Sequence, residues 1–152
     1  MIAFASPEPG QGALQESRRA IAPAVVKVHS SMAVRRLKTY AAESGHVYEY
    51  YFVGKRPAIA KDPYAPATEY VFDVTTGRSP RYAVSVFLRD EAPEAWARRH
   101  GRSLADAEQY AAAKLRLLLG FDEVDNLVLG ERRLAVTSDN IEAVLESLHL
   151  PD

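Results

Sequence analysis

The sequence predicts an α+β domain: an antiparallel β-sheet of three to five strands, with C-terminal helices packed on one face. Three observations carry this expectation. Between residues 47 and 89, three runs alternate in register with a two-residue period, the signature of half-buried strands. Turn chemistry separates successive runs, which favours antiparallel neighbours. From residue 90 onward the apolar period changes to about 3.6, as in amphipathic helices.

Residues 1–17 mix Pro, Gly, Gln and Ser without periodicity and are expected to form a flexible tail, leaving 18–152 as a single α+β domain. AIAPAVVKV is apolar enough to pack as an extended segment, and Pro23 opposes an uninterrupted helix there. Residues 31–44 carry two patterns. Val34, Leu37 and Tyr40 or Ala41 fall at helical spacing, with Gly45 placed to follow a helix end. Alternatively, Arg36 to Ala42 form a strand and Glu43-Ser44-Gly45 a three-residue hairpin loop. Thr39 and Tyr40, and the strand directly downstream, favour the hairpin.

HVYEYYFVG contains the strand Val47 to Val53, with Tyr48, Tyr50 and Phe52 on one face and Glu49 and Tyr51 on the other. KRPAIAKDPYAPA, with its three prolines, reads as a loop. TEYVFDVTT follows as a strand that sets Tyr70, Phe72 and Val74 on one face. After the turn GRSP, RYAVSVFLR aligns Tyr82, Val84, Val86 and Leu88.

Asp90 is a suitable N-cap for the short helix EAPEAWARRH, with Trp96 facing inward and Gly101 at its end. Ser103 and Asp106 have capping-box spacing at the start of a longer helix. Its apolar stripe is expected through Leu104, Ala107, Ala111, Leu115 and Leu118, and Gly120 is expected to stop it. RRLAV reads as a short strand. A cap at Ser138 or Asp139 then opens a last helix through Ile141, Val144, Leu145 and Leu148.

Composition narrows the function. Hydrophobic residues make up 47% and charged residues 26% of the 152, as in ordinary globular proteins. Cysteine is absent, which removes disulfides, thiolate metal sites and cysteine nucleophiles, and suits a cytoplasmic location. The formal charge of -1 and pI of about 6.4 disfavour a general nucleic-acid binder. No apolar run reaches membrane-span length, and MIAFASPEPGQG lacks the basic and apolar regions of a signal peptide. The four histidines have no metal-ligand spacing, no GxSxG elbow occurs, and no Gly-rich phosphate loop is present. No catalytic residue, metal or cofactor is therefore expected.

Two constellations remain as candidate binding residues. Tyr48, Tyr50 and Tyr51, with Glu49, form an aromatic strand that stacks bases if exposed or builds a core if covered. Arg98, Arg99 and Arg102, around His100, form a basic cluster that meets phosphates or complements a helix C-terminus. Glu49 and Asp73 on adjacent strands raise a carboxylate pair, although single acids on strands commonly serve only to limit edge aggregation. An α-β-β-β-α order would be similar to the double-stranded RNA-binding domain. However, SLADAE is acidic where that family places lysines, so the chain is not assigned to it.

The reading that follows is a small soluble binding or accessory protein without catalytic activity, acting on a protein partner or a second copy of itself. The alternative is single-stranded nucleic-acid binding through the tyrosine face and the Arg98–Arg102 cluster.

Overall fold

The structure is a computed structural model that describes residues 36–77, 80–123 and 132–152. The tail expected at residues 1–17, the AIAPAVVKV segment and part of the GRSP turn lie outside the described residues.

Among the described residues, five strands form one sheet in sequence order: β1 (Lys38–Ala41), β2 (Val47–Pro57), β3 (Ala67–Thr75), β4 (Tyr82–Arg89) and β5 (Arg133–Val136). Between β4 and β5 run α1 (Glu91–His100) and α2 (Asp106–Glu123). After β5 come α3 (Ile141–Leu145) and a 3-10 turn at Glu146–Leu148. The α+β class stands, but the sheet is mixed rather than antiparallel. Pairings β1–β2, β2–β3 and β3–β4 are antiparallel, whereas β5 runs parallel to β4. The physical reason is the connection. Two helices carry the chain back before β5 starts, and only such a long crossover lets neighbouring strands run parallel.

The hairpin reading of residues 36–46 is the one adopted. Ala42 N donates to His46 O at 2.8 Å, Gly45 N donates to Ala42 O at 2.9 Å, and Gly45 takes a φ of 96°. That positive φ favours glycine, so Gly45 closes the three-residue loop. β2 continues past Val53 to Pro57 because a bulge between Phe52 and Gly54 absorbs one residue and resumes pairing with β3.

The alternation along the strands holds. Tyr48, Tyr50, Tyr70, Phe72, Val74, Tyr82, Val84, Val86 and Leu88 belong to one buried cluster with Ala112, Ala113, Leu117 and Phe121 of α2. The phenyl ring of Phe121 stacks on Tyr48, with centroids 4.1 Å apart and planes within 5°. Tyr110 meets Phe52 edge-on at 5.0 Å.

The stripe on α2 is rotated from its expected position. Ala112, Ala113, Leu117, Gly120 and Phe121 are the buried residues, while Ala107 is exposed and Leu115 and Leu118 are only partly covered. Gly120 does not stop the helix. A Cβ at this position would lie 2.7 Å from Leu134 Cδ1, so the glycine leaves room for the Leu134 side chain of β5 against α2. Small residues at 112, 113 and 120 let the helix approach, and Phe121 fills the space beside Tyr48.

The expected side-chain caps also differ. Asp90 adopts helical angles, makes no side-chain cap bond, and gives its N–H to Pro66 O at 3.0 Å. α2 begins at Asp106, and Glu108 reaches back to Ala105 N at 2.8 Å, the reciprocal half of a capping box two residues later than expected. Before α3, Asn140 Oδ1 accepts from Thr137 N at 2.8 Å, so neither Ser138 nor Asp139 is the cap. Leu148 is partly exposed rather than core.

Candidate functional site

Tyr48 and Tyr50, two of the expected binding residues, are enclosed. Their exposures are 0% and 4%, and Phe121 lies against both rings. A stacking platform needs open ring faces, so this half of the aromatic strand belongs to the core. The hydroxyls of Tyr48, Tyr70 and Tyr82 are buried without a hydrogen-bond partner among the described residues. Burial pushes the Tyr82 hydroxyl up to about 12, aided by nearby Tyr48 and opposed by Arg132.

Glu49 and Tyr51 project from the opposite side of β2 and are half-buried. Tyr51 stands opposite Asp73, and its hydroxyl donates to Asp73 Oδ2 at 2.6 Å, while the Arg81 guanidinium lies 5.3 Å from the Tyr51 ring centre. Glu49 pairs with Thr39 on one side and Thr75 on the other. Glu49 and Asp73 are therefore diagonal neighbours, and Tyr51 occupies Asp73. A polar row continues on this side. Arg56 Nε donates to Glu69 Oε1 at 2.9 Å, and Ser85 Oγ donates to Glu69 Oε2 at 2.6 Å.

Part of this second side is covered by the β2–β3 loop. Tyr64 meets Phe87 with centroids 5.1 Å apart, and Arg133 lies over both rings while pairing with Asp62. Phe87 is buried as a result. The uncovered part holds Thr39, Ala41, Val47, Glu49 and Ala83, with Leu37 half-exposed beside β1 and Val47 48% exposed. Sequence reasoning missed this division. Its signal was Tyr64, the one aromatic ring in the proline-rich loop KRPAIAKDPYAPA.

The basic cluster is largely ion-paired. Arg99 Nη1 donates to Glu142 Oε2 at 2.7 Å. Arg102 makes a bidentate pair with Glu108 at 2.9 and 3.0 Å, donates to Pro151 O, and lies over the Trp96 ring. Its bond to Arg102, with that from Ala105 N, holds the Glu108 carboxyl down to about 2. His100 stacks on Trp96 at 4.1 Å and bridges Asp152 and Glu142. Arg98 is exposed and has no ion-pair partner among the described residues. The cluster thus ties α1 to the start of α2, to α3 and to residues 151–152. In the last turn of α1, Arg98, Arg99 and His100 also complement the helix dipole.

Among the described residues, no group of three or more His, Asp or Glu side chains could hold a metal ion, and no helix is long and apolar enough to cross a membrane. No family model matches the chain, and neither the curated proteins nor the solved structures gave a match.

Proposed function

We infer that the chain is a non-catalytic binding module whose helices pack on a single face of the sheet and whose opposite face makes protein–protein contacts. The observation that carries this reading is the contrast between the two sides of β2. Tyr48 and Tyr50 are withdrawn from solvent, while Val47, Ala41 and Ala83 stay accessible around Glu49. Apolar groups left open beside a fixed polar pair suit a protein surface, because Tyr51 and Asp73 are pre-set in shape and only the rim must be desolvated. Nucleic-acid binding has less support. Tyr48 and Tyr50 are covered, and the Arg99 and Arg102 guanidiniums are engaged by carboxylates.

The test is site-specific photo-cross-linking in the native host, with the cross-linker placed at Val47 on the open side or at Glu94 on α1. The expected result is a discrete protein adduct from position 47 that disappears with Glu49→Lys. Equal labelling from both positions, or an adduct insensitive to Glu49→Lys, contradicts the proposal.

A further inference from the structure

We propose that the outer edge of β1 is a self-association surface, pairing antiparallel with β1 of a second copy about a two-fold axis at Thr39. The inference concerns the edge of the sheet and does not rest on the reading of its open face. Ala42 N points to β2, where it donates to His46 O. By strand alternation, Tyr40 and Lys38 also turn their main-chain groups to β2, and Ala41, Thr39 and Leu37 turn theirs outward. No partner for these outward groups exists among the described residues.

The opposite edge of the sheet is treated differently. Ser85 N donates to Arg132 O, so Ala135 directs its carbonyl away from β4. That carbonyl is already taken by Arg116 Nε at 3.2 Å and Asn140 Nδ2 at 3.1 Å. An edge blocked in this way resists pairing, whereas the outward ladder groups of β1 are left unpaired among the described residues.

A second copy fits the β1 edge by charge as well as by backbone. With the axis at Thr39, Leu37 faces Ala41 of the other copy, and Lys38 faces Tyr40. Tyr40 Oη donates to Asp122 Oδ2 at 2.6 Å, so Asp122 stands where the opposing Lys38 would reach. Neither Lys38 nor Asp122 has an ion-pair partner among the described residues. The pairing supplies one to each, twice by symmetry, and covers the half-exposed Leu37. Such an isologous contact closes at two copies.

Sedimentation velocity on the full chain tests this across a concentration series. The wild type is expected to show a monomer–dimer equilibrium. Thr39→Pro removes an outward N–H that the monomer does not use, so it should leave the chain monomeric with its thermal midpoint retained. Lys38→Glu should weaken the dimer roughly tenfold. Register is tested by disulfides, since the chain has no cysteine of its own. Hydrogen-bonded antiparallel partners have Cα atoms about 5.5 Å apart, within bridging range, so Thr39→Cys should cross-link much faster than Ala41→Cys. A wild type that stays monomeric throughout overturns the proposal. So does a dimer that survives Thr39→Pro, or equal cross-linking at positions 39 and 41.

Discussion

Individual tyrosines of this chain carry different burdens, and simple substitutions separate them. Tyr48 and Tyr82 bury hydroxyls that have no hydrogen-bond partner among the described residues, and an unsatisfied buried polar group costs about 1–3 kcal/mol. Tyr48→Phe and Tyr82→Phe should therefore leave the unfolding free energy unchanged or raise it by up to about 1 kcal/mol. Tyr40 is the control. Its hydroxyl donates to Asp122, and that bond, with burial second, raises its pKa to about 12. Tyr40→Phe should lose about 1–2 kcal/mol in the same denaturant titration, because a bond to a charged acceptor is removed. His100 adds a pH-dependent contribution. Asp152, and then Glu142, hold its pKa above the ordinary 6.5. A pKa raised by folding favours the folded state fully below about pH 6.5, while the carboxylates remain ionised, and the benefit fades as pH rises through the folded value. The difference in thermal midpoint between wild type and His100→Gln should accordingly shrink on raising the pH above about 6.5. None of these hydroxyl and imidazole partners was legible in the sequence, since each joins residues far apart in the chain.

Elements were more legible where one pattern dominated. Period two located β2, β3 and β4 and sorted their faces correctly, because strand side chains must alternate whatever they pack against. Thr39 and Tyr40 favoured the first hairpin, whereas Gly45 suited a helix end as well as the loop it occupies with a φ of 96°. α2 shows the limit. Leucines at 115 and 118 attracted the expected stripe, yet the buried face uses Ala112, Ala113 and Gly120, because close approach to the sheet requires small side chains. Hydrophobicity alone cannot separate a residue that fills space from one that permits contact. The direction of β5 was equally hidden, since its sequence reads the same whether the chain enters parallel or antiparallel. Phe121 is the large side chain this helix inserts among the tyrosines. Phe121→Ala should destabilise the fold by about 3–5 kcal/mol in chemical denaturation, whereas Leu119→Ala on the exposed side of α2 should change it by less than about 1 kcal/mol.

At the scale of the whole molecule, the binding reading depends on which side of the sheet is withdrawn from water. The strand that first suggested a stacking platform divides into an enclosed side, Tyr48 and Tyr50, and an accessible one around Val47 and Glu49. The arginine cluster adds little support for a nucleic-acid surface, because Arg99 and Arg102 hold α1 to its neighbours. Fluorescence anisotropy with a single-stranded oligonucleotide at low salt should therefore show no binding that weakens with added salt. Hydroxyl-radical footprinting of the native chain, read residue by residue across HVYEYYFVG, tests the central claim most directly. Val47 should be modified readily, and Tyr48 and Tyr50 should be protected until the chain unfolds. Modification of Tyr48 and Tyr50 in the native state as fast as in the unfolded chain would contradict the account, and would return the tyrosine face to the surface.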